Sequence, residues 1–134
     1  MVVRNQIRVI YGDTDAMGHA YYGCYLRWFE AGRSEWFRSS GATYRELEEM
    51  GVFLPAVEAH CKYQKPAFYD DLLTVVTTFQ FSGPARLRFD YRIEHEGELL
   101  ATGYTVHVCM SRDRKAIRPP EALKTLLHSM EEQS

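Results

Sequence analysis

Tyr11-Gly12-Asp13-Thr14-Asp15-Ala16-Met17-Gly18-His19-Ala20-Tyr21-Tyr22-Gly23-Cys24-Tyr25 joins two unlike patterns. Ahead of it, Ile7, Val9 and Tyr11 alternate with Arg8 and Ile10, which predicts a strand over 7–11. Behind it, Tyr22, Tyr25, Leu26, Phe29, Trp36 and Phe37 share one face at helical spacing, with Trp28 and Gly32 on its flank. That pattern predicts a helix from Tyr22 to Ser39. Gly12, Asp13, Asp15 and Gly18 supply turn chemistry between the two. A carboxylate is thus set in a loop that feeds a helix N-terminus, where free N–H groups and the dipole can hold a polarised oxygen. Attack on an acyl carbonyl fits that layout. Asp13 and Asp15 could equally be turn formers without chemistry.

Working outward, Arg33 falls within the apolar face of the helix, and Glu30, three residues earlier, is its expected ion-pair partner. Gly41 closes the helix, and Thr43 to Glu46 reads as a capping box for a short helix ending at Gly51. Extended segments follow over 52–63, bent near Pro55, and over 72–81, with a turn at Ser82-Gly83-Pro84. Leu87, Phe89, Tyr91 and Ile93 alternate with Arg86, Arg88, Asp90 and Arg92, the clearest strand in the chain. A hairpin at Glu96-Gly97 leads into a last strand over 99–110. Pro119-Pro120 then precedes a helix from Glu121 to Ser129. One long early helix plus four or five strands is an α+β chain, with an antiparallel sheet wrapped around the helix.

The 134 residues suit a single domain spanning 1–134. With a net charge of −2, nothing in the composition favours nucleic acid or an acidic membrane surface. No apolar run is long enough to span a membrane. Met1 to Asn5 carries no apolar h-region, so no secretory signal is expected and the cytoplasm is the expected location. Cys24, Cys61 and Cys109 are unpaired in spacing and read as free thiols.

Rival chemistries find little support. His107 and Cys109 share a strand face and His60-Cys61 could lie near it, but no zinc-type spacing occurs, so no metal is expected. Cys24 at the helix start could be a low-pKa nucleophile, yet it points away from the Tyr22 face. Nucleophile-elbow, Walker and Gly-x-Gly-x-x-Gly patterns are absent.

The run from Tyr11 to Arg33 resembles the signature of hotdog-fold acyl-CoA thioesterases of the 4-hydroxybenzoyl-CoA thioesterase type. Gly51-Val52-Phe53-Leu54-Pro55, Pro66-Ala67-Phe68-Tyr69-Asp70-Asp71 and Gly97-Glu98-Leu99-Leu100-Ala101 extend the resemblance over residues 5–120. It implies the hotdog fold, Asp15 as the catalytic aspartate, and the backbone N–H of Tyr22 as the oxyanion donor. Many members carry Asn where this chain has Cys24.

Gly18 is the only glycine between Asp15 and Tyr22 and is assigned a positive φ, so an added Cβ would strain the loop and crowd the carbonyl's approach. His19 either caps a backbone group, touches substrate or orients water. Tyr21 is a further substrate contact. The resemblance also implies homodimers or dimers of dimers (homotetramers), with the site between subunits. No cofactor is needed, because CoA is part of the substrate. Its phosphates would find cations at Arg86 and Arg88, or at Arg112, Arg114 and Lys115. Glu30 is an alternative carboxylate, since another hotdog branch carries its acid on the helix. A non-catalytic module for acyl-CoA or acyl-carrier protein, or an acyl-thioester dehydratase, is the alternative on the same fold.

Overall fold

Inward-facing Val3, Asn5, Ile7 and Val9 alternate with exposed Arg4, Gln6 and Arg8, and the chain opens as strand β1, Val3–Arg8. The computed structural model describes residues 1–132, without the side chains of Tyr44 and Glu132. β1 therefore begins earlier and ends earlier than expected. Its pairing runs from Val3↔Thr77 to Arg8↔Leu72, after which the Ile10 N–H turns away to the Asp13 carboxylate at 3.0 Å. Tyr11–Asp13 is a single 3-10 turn, not strand.

Helix α1, Cys24–Ser40, starts two residues after the expected Tyr22, because the chain enters it through tighter turns. Tyr21 O accepts from Cys24 N at 3.0 Å and Tyr22 O from Tyr25 N at 3.3 Å. The helix ends at Gly41, whose φ of 93° only glycine adopts freely. Its buried face is Tyr25, Trp28, Phe29, Gly32, Trp36 and Phe37. Leu26 and Tyr22, expected on that face, are exposed at 43% and 63%. The burial stripe is rotated towards Trp28, and Arg33 sits at its edge.

Helix α2, Tyr44–Glu49, is capped by Thr43, whose side chain accepts the Glu46 N–H. β2 spans Ala56–Tyr63, shorter than the expected 52–63 segment. Pro55 has no N–H to give a ladder, so ahead of it Phe53 makes only an isolated bridge with Met110. β3 (Leu72–Phe81), β4 (Arg86–His95) and β5 (Glu98–Met110) follow as the sequence indicates. A short β6, Ala116–Ile117, pairs with β5, and α3 runs over Glu121–Glu132.

The antiparallel sheet has the order β1-β3-β4-β5-β2, with α1 laid across one face. Phe29 stacks on Tyr91 at 4.4 Å, and Trp36, Phe37, Phe79 and Phe89 interlock beyond it. Gly103 makes the close approach possible: a Cβ there would lie 2.4 Å from both His60 O and the Phe29 ring. Any larger residue would push the helix off the sheet. This is the hotdog arrangement.

Arg33 finds its partner across this interface, so the expected pair with Glu30 does not form. Its guanidinium donates to Tyr91 Oη at 2.9 Å. The bond opens a buried chain: Tyr91 Oη meets Thr105 Oγ1 at 2.6 Å, Thr105 Oγ1 meets His107 Nε2 at 2.8 Å, and His107 Nδ1 meets Leu54 O at 2.9 Å. A carbonyl only accepts, so Nδ1 carries the proton and Nε2 is the acceptor. Thr105 then donates to His107, and Tyr91 to Thr105. Every hydrogen in the chain has one direction. His60, by contrast, lies on the outer face of the sheet, stacked on Tyr104 at 5.2 Å. Strand alternation thus separates it from His107.

Candidate active site

The two acids of the loop have opposite fates. Asp13 is only 3% exposed. One carboxylate oxygen accepts the Ile10 N–H, the other is ion-paired to Arg27 of α1, and its carbonyl accepts the Tyr21 N–H at 2.7 Å. Asp13 is a clip that ties strand end, loop and helix together. It also disposes of Cys24 as a nucleophile. That sulfur lies 3.6 Å from Asp13 O, and burial, with Asp13 behind it, pushes the thiol pKa up.

Asp15 is exposed and closes the other turn of the loop. Its N–H donates to His19 O at 2.9 Å, its carbonyl accepts Gly18 N–H at 3.0 Å, and one carboxylate oxygen accepts Met17 N–H at 2.9 Å. Thr14 and Ala20 form an antiparallel bridge at its base. Gly18 has a φ of 80°, as its place in the turn requires. Asp15 lines a cleft of about 320 Å³ with His19, Tyr22, Tyr25, Tyr63 and Lys65.

The helix start supplies the complementary group. The N–H and C=O of a trans peptide point in opposite directions. Tyr21 C=O is turned into the helix to accept Cys24 N–H, so the Tyr22 N–H aims out of the helix end. No acceptor for it exists among the described residues. Dipole and free N–H together make this a place for developing negative charge.

His19 joins Asp15 in the cleft, but its ring caps no backbone group; it meets Phe68 edge-on at 5.1 Å. The Tyr21 ring packs on Tyr22 at 4.4 Å and lies outside the lining. Arg86 and Arg88 are not brought to this cleft. They sit near Val106 and Val108, at the opposite end of the sheet from the Arg8–Leu72 end where the loop leaves. Arg88 is moreover bound to Asp90 at 2.9 Å and lies over the Tyr104 ring at 4.0 Å. Tyr25 and Tyr63 are wall residues that sequence reasoning passed over; only the fold brings the end of β2 beside the helix start.

A larger cleft of about 640 Å³ lies elsewhere, with Arg33, Phe53, Leu54 and Met110 in its walls. It contains neither Asp15 nor the helix start. Among the described residues no three potential metal ligands gather, and no helix is long and apolar enough to cross a membrane.

A family profile described as the thioesterase-like superfamily matches residues 9–127. The chain belongs to that superfamily. Among its relatives is the 1,4-dihydroxy-2-naphthoyl-CoA hydrolase of Synechococcus elongatus, 32% identical over 90% of this chain and 91% of that protein. The acyl-CoA thioesterase YbgC of Haemophilus influenzae is 29% identical over 92% and 93%. The crystal structure of Slr0204, a 1,4-dihydroxy-2-naphthoyl-CoA thioesterase from Synechocystis, superposes with a TM-score of 0.88 at 26% identity, covering 98% of both chains. The fold is thus that of a hotdog thioesterase.

In this thioesterase the space beside Gly18 is open: a Cβ would meet nothing within 4 Å. The crowding expected from an added methyl therefore has no counterpart in the protein itself, and the cost is backbone strain. Gly18→Ala should lose about 1 kcal/mol or more of stability. Melting temperature and kcat from one preparation separate strain from site damage. A fall in kcat per folded molecule shows that the strained turn also moves Asp15, whereas unchanged kcat confines Gly18 to stability.

Proposed function

We infer that this thioesterase hydrolyses an acyl-CoA thioester to the free acid and CoA. The observation that carries the reading is one cleft lined both by the exposed Asp15 and by Tyr22, whose outward N–H at the helix start has no acceptor among the described residues. The thioester oxygen would accept that N–H as charge develops on it. Asp15 would either take a proton from attacking water or attack the carbonyl itself, giving an anhydride that water then opens. On the first route the water oxygen enters the acid directly. On the second, water opening the anhydride at the acyl carbonyl does the same, whereas opening at the Asp15 carbonyl leaves the water oxygen in Asp15 and a former Asp15 oxygen in the acid. In each case a proton ends on the departing thiolate. Aromatic walls at Tyr22, Tyr25 and Tyr63 suit an apolar or aryl acyl group.

A panel of short, long and aryl acyl-CoAs, with free thiol measured, tests the reading. Turnover of at least one supports it. Binding of CoA esters without thiol release would instead make the chain a binding module.

A second copy would complete the site. β2 ends the sheet with one edge unpaired and most of its residues exposed. Antiparallel pairing of two β2 strands would bring the Arg86 end of the partner sheet to the Tyr63 end of this one. Within one copy those points are about 25 Å apart along the strands, too far for Arg86 to serve its own cleft. A dimer or dimer of dimers is therefore expected by light scattering. Arg86→Ala should raise KM for the CoA ester more than it lowers kcat. An active monomer, or an unchanged KM, would discard this arrangement.

A further inference from the structure

Tyr63 enters the cleft from the sheet and not from the loop. It is the last residue of β2, held in register by pairing with Ala101. Its ring meets that of Tyr25 edge-on at 4.8 Å. Its hydroxyl donates to Tyr22 O at 2.8 Å. Among the described residues this is the only hydrogen bond from the sheet to Tyr22.

Two peptide groups flank the Tyr22 Cα: the first carries its N–H, and the second fixes the end of the residue from which that N–H projects. The first is held by Cys24 N–H on Tyr21 O at 3.0 Å. The second has only a long bond from within the helix, Tyr25 N–H on Tyr22 O at 3.3 Å. First turns of helices fray, and a long bond of this kind does little to prevent it. Tyr63 supplies the short bond, from a side chain anchored in the sheet. Burial, and then the neighbouring Cys61 thiol, push its hydroxyl pKa well above the ordinary tyrosine value. Throughout any practical assay range the group therefore stays protonated and remains a donor.

We propose that Tyr63 is a positioning residue: by clamping the Tyr22 carbonyl to the end of β2, it holds the Tyr22 N–H on the thioester oxygen in the transition state. The proposal rests on the acyl-CoA reading above. It predicts a loss in the chemical step with little loss in substrate binding, because the N–H contributes most when charge has developed on the oxygen. It also predicts a local electronic signature. A donor on Tyr22 C=O polarises the Tyr22–Gly23 amide, so its removal must shift the Gly23 amide nitrogen resonance.

Tyr63→Phe keeps the ring against Tyr25 and deletes only the hydroxyl. Expected are a kcat lowered about tenfold, a KM within about twofold of wild type, and shifts of the Tyr22 and Gly23 amide signals. Melting temperature and circular dichroism on the same sample refer kcat to folded protein. Wild-type kcat in Tyr63→Phe, or a rise in KM with kcat unchanged, overturns the proposal. If the wild-type protein hydrolyses no acyl-CoA, the functional reading fails. In that case an unshifted Gly23 amide still disproves the clamp independently.

Discussion

Asp15→Asn retains its fold and loses at least ~10² in hydrolytic rate. The amide oxygen of Asn can still accept the Met17 N–H that Asp15 now accepts at 2.9 Å, and the other two bonds of the turn are backbone to backbone. Loop shape is thereby kept. What disappears is basicity and nucleophilicity together, so the loss is expected whichever route Asp15 takes. Circular dichroism and melting temperature should match wild type while thiol release collapses. Native-like spectra with undiminished turnover would remove Asp15 from the chemistry. Asp13 could not take its place, since both of its oxygens are committed inside the protein.

The second large effect is on stability in mild acid. Burial, followed by the charge of Arg33, lowers the His107 pKa to about 4. An unfolded chain would protonate the same ring near 6.5. As pH falls below that value the unfolded state gains a proton before the folded state does. His107 thus contributes stability that is fully present above about pH 6.5 and is lost progressively towards pH 4. The shift corresponds to something on the order of 3 kcal/mol across that window. Protonated Nε2 could no longer accept from Thr105, so the whole chain to Arg33 would be disturbed. Urea unfolding at pH 7 and pH 4.5 measures the effect. His107→Asn should be less stable at pH 7 but show a flatter profile between the two. A wild-type free energy that stays constant over the window contradicts the directed chain.

Much of this was legible before the structure. Apolar alternation locates β4, β-branched and aromatic content β3, the Glu96-Gly97 turn the start of β5, and aromatic spacing α1, because those patterns are written in residues close together in sequence. The errors have a common cause. Asn5 interrupts the alternation of β1, so only its pairing with β3 shows where that strand begins. Leu26 looks like core on a helical wheel, but the sheet meets the helix on the Trp28 side. Helical spacing pairs Arg33 with Glu30, whereas the structure gives it an acceptor, Tyr91 Oη, 58 residues away. The roles of Asp13 and Asp15 could not be separated by spacing either. Arg27 on the first turns of α1 decides that, by claiming one of them. Tyr63 carried no local signal at all; an aromatic at a strand end is unremarkable until its hydroxyl is seen on the helix.

The Asp13 clip bears on the order in which the molecule assembles. All its partners, from Ile10 to Arg27, lie within 14 residues of it. Such a segment needs only short loop closures, which are fast and entropically cheap. β1, by contrast, must find β3 across about half the length of the chain, the slower kind of event. The turn that carries Asp15 and the exposed N–H of Tyr22 can therefore take shape early, as a nucleus of local contacts. Tyr63 and the remaining walls arrive only when the sheet closes. On the proposed function, the groups assigned to the chemistry and the walls assigned to the acyl group would thus be set by contacts of very different sequence range.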